Sequence, residues 1–167
     1  MGKSCFKRFF SSIYCCAFFS LQGPGYSETV IHLKLDGNLT DSAGDHDASL
    51  FGSGAVLTTS RFGIDAFGRE AAAYLIDDRS VSLELAHSET LDLSGDHTVS
   101  LWVKTTANEE QVMLYKGDPN SFINGSWQFN LFGDRGMFVF QGGAGALGHS
   151  WESTEGIRIH DGQWHHV

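Results

Sequence analysis

Apolar and polar residues alternate with a period of two along several short stretches of the chain. In HTVSLWVKTT, Val99, Leu101 and Val103 share one face of an extended strand, and Trp102 lies on the other face. The segments VIHLKL, SVSLEL and SWQFNLF show the same alternation, and VMLYK and GMFVFQGG are short apolar runs. Because successive side chains of a strand point to opposite faces, this pattern predicts a series of β-strands.

Turn-forming residues separate the predicted strands. Examples are DGN at 36–38, SGD at 94–96 and FGDRG at 132–136, in a chain with 20 glycines and only 2 prolines. Short strands at a spacing of roughly 8–12 residues are typical of antiparallel sandwiches and barrels. The one candidate helix is FGREAAAYL at 67–75, which already merges into a strand-like segment. We therefore predict an all-β, antiparallel β-sandwich.

The first 27 residues have the layout of a secretory signal peptide. Three basic residues precede an apolar run over residues 13–21, and the small residues Gly25 and Ser27 follow it. A membrane anchor is the less favoured alternative, because a bilayer span takes about 20 apolar residues. We predict a signal peptide over residues 1–27 and one domain over residues 28–167. The protein is then secreted, extracellular, periplasmic or at the cell surface, and it meets the membrane only through this segment before cleavage.

Removal of that segment changes the composition of the remaining chain. Cys5, Cys15 and Cys16 all lie in it, so the predicted domain has neither a disulfide nor a thiol nucleophile. The domain keeps 8 of 11 basic residues and all 20 acidic ones, a net charge of −12. An acidic surface repels phosphate backbones, so we expect no nucleic-acid partner.

Acidic loops can bind a hard cation, and the densest cluster of acids gives the candidate ligands Asp41, Asp45 and Asp47. Calcium is the cation that such oxygen ligands suit best, although the spacing is not that of an EF-hand loop. The favoured interpretation, however, is that these residues form solvated loops that keep the protein soluble. Calcium is the one cofactor that the sequence suggests.

Catalytic patterns are missing from the sequence. The nearest acidic candidates are Glu84, Glu89 and Asp92, but Glu84 and Glu89 are five residues apart and would point to opposite faces of a strand. His165 and His166 are adjacent and would also point to opposite faces, so we do not expect them to bind one metal together. We predict no catalytic residues, and we interpret Trp102 and Trp164 as packing residues.

Four stretches, in order along the chain, resemble the laminin G-like jelly-roll domains of the concanavalin A-like lectins and glucanases. They are HLKLDGNLTDSAGDHDASLFGSG, TTSRFGIDAFGREAAAYLIDD, SETLDLSGDHTVSLWVKTT and DGQWHHV. The resemblance implies a jelly-roll β-sandwich over residues 28–167. This chain departs from the family pattern after Asp77, where Asp78 replaces a glycine and Ser80 and Val81 replace paired acids.

In the family, further strands follow the one that ends here at Val167. We therefore expect the sandwich to be incomplete at its C-terminus and the chain to be a fragment. If the chain truly ends at Val167, an open sheet edge needs a cover, and a dimer is expected.

The leading hypothesis for function is a secreted, non-catalytic recognition module that binds an extracellular glycan or protein. A second hypothesis is an N-terminal accessory domain of a larger secreted glycoside hydrolase or other enzyme whose catalytic part is missing. A third is a structural adhesion domain. Fold resemblance alone does not name a ligand.

Overall fold

The computed structural model describes residues 13–16, 29–52, 54–77, 81–91, 98–117, 126–132, 135–141, 149–152 and 158–167. These residues form eleven strands: β1 (Ile13–Cys16), β2 (Ala48–Phe51), β3 (Phe62–Gly63), β4 (Ala73–Ile76), β5 (Ser82–Leu85), β6 (Trp102–Lys104), β7 (Glu110–Lys116), β8 (Ser126–Phe132), β9 (Arg135–Gln141), β10 (His149–Glu152) and β11 (Trp164–His166). Two short 3₁₀ turns, Thr59–Arg61 and Glu89–Leu91, lie between strands.

The strands form three antiparallel sheets. A five-stranded sheet has the order β11-β6-β1-β4-β3, a four-stranded sheet has the order β10-β9-β8-β7, and β2 pairs with β5. The four-stranded sheet is a simple meander in which each strand pairs with the next in sequence. The prediction of an all-β antiparallel fold of the jelly-roll class is thus confirmed.

One hydrophobic core joins the three sheets. Tyr74 and Val103 contribute from the five-stranded sheet, Leu83 from the two-stranded sheet, and Leu114 and Trp127 from the four-stranded sheet. All five side chains are almost fully buried. Burial of apolar surface from several layers is what holds a sandwich without disulfides together.

The segment VIHLKL contributes to this core without forming a regular strand. Ile31, Leu33 and Leu35 are buried, as the alternation predicts, but the segment has only an isolated bridge from Leu33 to Asp41. Leu35 has a φ of 56°, a conformation that ends extended backbone. The pattern therefore predicted the buried face correctly and the strand pairing incorrectly.

The one candidate helix in the sequence, at residues 67–75, does not form in the structure, in agreement with the prediction of an all-β fold. The chain turns over residues 66–71, and β4 begins at Ala73. Gly68 and Ala71 have φ values of 80° and 53°, which no right-handed helix contains. A turn forms here despite the helix propensity of three consecutive alanines, because Asp65 accepts hydrogen bonds from the backbone of the turn.

Strand β1 lies inside the segment that the sequence predicts to be a signal peptide. It occupies the position between β4 and β6 in the five-stranded sheet. The signal peptide over residues 1–27 and the domain boundary at residue 28 stay predictions, as does incompleteness at the C-terminus. Within the part of the chain that the structure describes, no helix is long and apolar enough to cross a membrane.

Candidate functional site

The candidate site lies on the outer face of the five-stranded sheet, at the pairing of β6 with β11. Side chains alternate at β6. Val103, and Leu101 just before the strand, are buried in the core, whereas Trp102 is half-buried on the opposite face. The strand register places His166 of β11 directly opposite Trp102. The alternation that builds the core thus also puts an aromatic pair on the outer surface.

A row of four side chains runs across this surface, and we call Arg69, Phe67, Trp102 and His166 the aromatic row. The rings of Phe67 and Trp102 meet edge to face, with centroids 5.3 Å apart and an interplanar angle of 74°. The centroids of Trp102 and His166 are 5.1 Å apart. The guanidinium carbon of Arg69 lies 5.5 Å from the centroid of the Phe67 ring. Both distances between rings, and the cation contact, fall in the attractive range for such pairs.

The loop that carries Phe67 and Arg69 is fixed by one buried carboxylate. Asp65 Oδ1 accepts hydrogen bonds from the backbone N–H groups of Phe67 and Arg69, both at 2.8 Å. Its Oδ2 accepts a third from Nε of Arg69 at 2.6 Å. Gly68, with a φ of 80°, closes the turn by donating to the carbonyl of Asp65 at 3.2 Å. The aromatic row therefore rests on a loop with few conformations to lose when a ligand binds.

The charge of Asp65 is stabilised by these partners. Burial by itself raises the pKa of the carboxyl, but the hydrogen bonds from Arg69 and Phe67, together with the Arg69 charge, outweigh it and hold the pKa below its ordinary value. Asp65 is only 3% exposed. It is therefore a structural anion that holds the loop of Phe67 and Arg69 in place.

Strand β11 is held against β6 from both ends. The backbone N–H and carbonyl of Val167 exchange hydrogen bonds with Leu101 at 2.9 and 2.8 Å. Before the strand, Gly162 donates to the carbonyl of Thr105 at 3.0 Å. Asp161 Oδ1 lies 2.9 Å from Nε2 of His165. These contacts fix the position of His166 beside Trp102.

The two adjacent histidines have different partners. His165 contacts Asp161, whereas His166 contacts Trp102. This is the arrangement that the alternation of a strand predicts for neighbouring residues. Across the described ranges of the chain, no group of three or more His, Cys, Asp or Glu side chains is placed to hold a metal ion.

The predicted calcium ligand Asp41 is engaged with the backbone. Its side chain is fully buried, and Oδ1 accepts the N–H groups of His32 at 2.8 Å and Ala43 at 2.9 Å. Its Oδ2 accepts the N–H of His46 at 3.2 Å. Burial raises the pKa of Asp41, but these N–H groups outweigh it and lower the pKa. The structure gives Asp41 the role of folding its own loop.

The other two predicted ligands differ from Asp41. Asp45 and Asp47 are exposed, and Asp47 Oδ1 accepts the N–H of Asp41 at 2.8 Å. His46 ties the same loop to the 3₁₀ turn at Glu89–Leu91, because its Nε2 lies 2.8 Å from the Thr90 hydroxyl. Calcium binding at Asp41, Asp45 and Asp47 stays a prediction.

The acids considered for catalysis are spread over different elements. Glu84 lies on β5, opposite Ser49 of β2, and Glu89 begins the second 3₁₀ turn. Asp92 lies outside the described residues. Asp77, where the chain departs from the family pattern, forms an ion pair with Arg61, and residues 78–80 also lie outside the described part.

The aromatic row was not predicted from the sequence, from which Trp102 was interpreted as a packing residue. Two signals in the sequence could have indicated it. Trp102 falls on the polar face of its predicted strand, and an Asp two residues before Phe67 can cap a turn that presents that ring. The joining of these two segments at one place, however, depends on the order of strands in the sheet.

The fold and this surface define a class of protein, namely antiparallel β-sandwiches with an aromatic row on the outer face of one sheet. The sequence profile of the concanavalin A-like lectin/glucanases superfamily, in its laminin G-like branch, matches residues 77–167. The match spans more than half of the chain, which therefore belongs to this family. It includes Trp102 and His166, but it begins at residue 77 and so does not cover Phe67 and Arg69. No curated protein and no solved structure matches the chain. Membership of the family supports a module that binds carbohydrate or protein in general.

Proposed function

We propose that this protein is a secreted, non-catalytic recognition module that binds a glycan through the aromatic row. The observation that carries the proposal is the position of Trp102 on the outer sheet face, between His166 and a Phe67 side chain that is 60% exposed. Exposure of a large aromatic ring on a rigid loop costs solvation free energy and makes sense when a ligand covers it.

A sugar ring matches the chemistry of this surface. One face of a pyranose is made of C–H groups, which pack on aromatic rings, and its edges carry hydroxyls, which need hydrogen-bond partners. Phe67 and Trp102 offer the apolar contact, and Arg69 and His166 offer polar groups at the two ends of the row. Lys104 lies on the same face of β6 as Trp102 and adds a further donor.

The proposal of a non-catalytic role is supported by the lowered pKa values of the buried carboxyl groups. A general acid for glycoside hydrolysis needs a raised pKa, so that it holds a proton at neutral pH. Asp41 and Asp65 have lowered pKa values instead, because backbone N–H groups satisfy their charge. Both are therefore suited to holding loops and unsuited to donating a proton.

Secretion is supported by the leader-like sequence of residues 1–27, and an extracellular glycan or protein is the partner that this location implies. The proposal includes calcium as an accessory ion at the loop of Asp41, Asp45 and Asp47. The aromatic row itself consists of side chains that need no metal to contact a sugar.

The test is a glycan-array screen followed by titration of the best sugar against three forms of the chain. We expect Phe67→Ala to weaken binding roughly tenfold, since loss of one stacking ring costs about 1–1.5 kcal/mol. Phe51→Ala is the matched control, because Phe51 is an exposed ring of the two-stranded sheet, outside the aromatic row. Equal affinities for the two variants would remove the aromatic row as the site. A folded chain that binds no sugar on the array would contradict the glycan proposal altogether.

A further inference from the structure

Lys104 lies on the same outer sheet face as the aromatic row. It is the last residue of β6, two positions after Trp102, so the alternation of a strand places both side chains on one face. The register sets Trp164 of β11 directly opposite Lys104, as it sets His166 opposite Trp102. Two residues along a strand are about 6.8 Å apart. The long lysine side chain is therefore within reach of a ligand that covers Trp102.

The ammonium group of Lys104 has neither an ion-pair partner nor a hydrogen-bond partner among the residues that the structure describes. The residue is half-buried, so part of the water around its side chain is displaced. By contrast, the guanidinium groups of Arg61 and Arg69 are paired with Asp77 and Asp65. A partly desolvated cation gains free energy when a ligand brings an anion to it.

The charges around the aromatic row differ from those of the chain as a whole. Acidic residues outnumber basic ones by 20 to 11 in the sequence, yet three nitrogen-bearing side chains, Arg69, Lys104 and His166, lie at this face. The carboxylate of Asp65, in the loop of the row, is buried and forms its ion pair with Arg69. Groups that donate hydrogen bonds to anions are thus concentrated around the two aromatic rings.

Arg69 keeps donors for a ligand although it is paired with Asp65. The contacts to Asp65 use the backbone N–H and Nε of Arg69. The two terminal nitrogens of its guanidinium form no hydrogen bond within the described part of the chain, and the side chain is 56% exposed. Asp65 therefore fixes the guanidinium beside the ring of Phe67, while further N–H groups stay open to an oxygen-rich ligand.

We propose that the aromatic row binds an acidic sugar of the uronic-acid class and that Lys104 determines this specificity by binding the carboxylate. The inference rests on the glycan function proposed above for the same surface. The carboxylate of a pyranose uronic acid extends from the edge of the ring. The ring therefore stacks on Trp102 while its carboxylate lies along β6 toward Lys104. Arg69 and His166 donate to hydroxyls of this sugar or of its neighbour in the glycan.

The test compares pairs of oligosaccharides that differ only in charge. Oligomers of galacturonic, glucuronic, mannuronic and guluronic acid are titrated against the full chain, each beside the same oligomer with its carboxyl groups reduced to primary alcohols. We expect at least one uronic-acid oligomer to bind roughly tenfold more tightly than its neutral counterpart, which corresponds to one charge-assisted hydrogen bond. A rise in salt from about 0.05 to 0.5 M is expected to reduce this preference.

A variant of Lys104 assigns the preference to one residue. Lys104→Met removes the charge and keeps most of the apolar stem, so we expect it to bind both members of the pair with nearly equal affinity. Lys104→Arg keeps the charge and is expected to retain most of the preference. Lys34→Met, which changes an exposed lysine in another segment, is the matched control. An unchanged affinity of Lys104→Met for the neutral oligomer shows that the variant is folded.

The outcomes separate this inference from the glycan proposal. Neutral oligomers that bind as tightly as their acidic counterparts throughout the panel would overturn the inference and leave the aromatic row as a glycan site. Equal losses of affinity for the acidic and the neutral oligomer in Lys104→Met would also overturn it, since Lys104 would then shape the surface without recognising the charge. A folded chain that binds neither this panel nor any sugar on the array would contradict both proposals.

Discussion

Lys116, on β7, lies almost fully inside the protein, with 6% of its surface exposed. Its Nζ donates a hydrogen bond to the carbonyl of Leu91 at 2.7 Å. Burial disfavours the charged ammonium and lowers the pKa of Lys116 to about 8. The hydrogen bond orients the amine, but a neutral carbonyl does not restore the hydration that a full charge loses.

This lowered pKa predicts that the free energy of unfolding rises in mildly alkaline solution. The unfolded chain binds the lysine proton up to pH 10.5, whereas the folded chain releases it near pH 8. Between these values the unfolded state holds more protons, so stability increases with pH. Relative to Lys116→Met, the wild type is expected to gain roughly 2 kcal/mol from pH 7 to pH 10.

Urea unfolding of the two forms at several pH values checks this prediction. Lys34→Met is the control, because Lys34 is exposed. Parallel stability curves for the wild type and Lys116→Met across this range would show that the burial of Lys116 carries no electrostatic cost.

The individual residues of the aromatic row show why the candidate site was hard to predict. The alternation in HTVSLWVKTT places Trp102 outward, but a single outward tryptophan is equally consistent with packing against a neighbouring loop. Its partners Phe67 and His166 come from segments 35 residues before it and 64 residues after it. Only the pairing of β6 with β11, and the turn closed by Asp65, brings them together. Such long-range pairing leaves no local sequence pattern.

Among the elements, those with a regular alternation were predicted best. SWQFNLF coincides with β8, SVSLEL contains β5, and the buried positions Leu101 and Val103 flank Trp102 as expected. The alternation reports which face of a strand is buried, because burial selects apolar side chains on that face alone. It carries less information about where pairing begins and ends. The alternation in HTVSLWVKTT, for example, does not show that β6 is only three residues long.

The missed elements have identifiable physical causes. Strand β1 was overlooked because an apolar run behind basic residues also fits a signal peptide. The segment at residues 67–75 was a candidate helix only because of its alanines, whose helix propensity is worth less than the hydrogen bonds that Asp65 makes to the turn. In that segment the hydrogen bonds of Asp65 determine the backbone conformation, and the helix propensity of the alanines does not.

The turn before β11 provides a prediction at the scale of the element. Gly162 has a φ of 75°, and a Cβ at this position would lie 3.3 Å from Cγ2 of Thr106. Gly37, with a φ of 85°, has nothing within 4 Å of such a Cβ. Both substitutions to alanine place a side chain in left-handed backbone, at a cost of about 1–2 kcal/mol. Gly162→Ala also crowds Thr106 and strains the hydrogen bond to Thr105.

We therefore expect Gly162→Ala to lower the melting temperature more than Gly37→Ala, and to weaken glycan binding through the displaced His166. Circular dichroism melts of both variants, followed by titration of the sugar, measure the two effects. If the two variants melt together and bind alike, the Asp161–Gly162 turn does not control the position of β11.

At the scale of the whole molecule, three aspartates tie loops to the sandwich. Asp41 holds the loop before β2, Asp65 holds the loop of the aromatic row, and Asp161 holds the turn before β11. Each has a pKa below its ordinary value. For Asp161 the main cause is the hydrogen bond from His165, and for Asp41 and Asp65 the backbone N–H groups overcome the effect of burial. The loops around the core therefore share a dependence on ionised carboxylates.

This shared dependence predicts a loss of stability in acid. The stabilisation from Asp41 and Asp65 is fully present above the pKa of an unfolded aspartate, near 4, and is lost as the pH falls through the lower pKa of the folded state. The double variant Asp41→Asn, Asp65→Asn already lacks the charges at neutral pH. We expect it to lose roughly 2–4 kcal/mol at pH 7 and to show a flatter stability curve between pH 5 and pH 3.

Urea unfolding followed by tryptophan fluorescence at pH 7, 5 and 3 measures both quantities. Asp45→Asn is the matched control, because Asp45 belongs to the same loop as Asp41 but is exposed. We expect that control to keep both the stability and the slope of the wild type. A double variant with the wild-type slope would mean that acid acts elsewhere in the molecule, since protonation of Asp41 and Asp65 would then change nothing. A flat curve in the double variant would instead assign the acid sensitivity of the fold to the two loops that these carboxylates close, one of which presents Phe67 to the ligand.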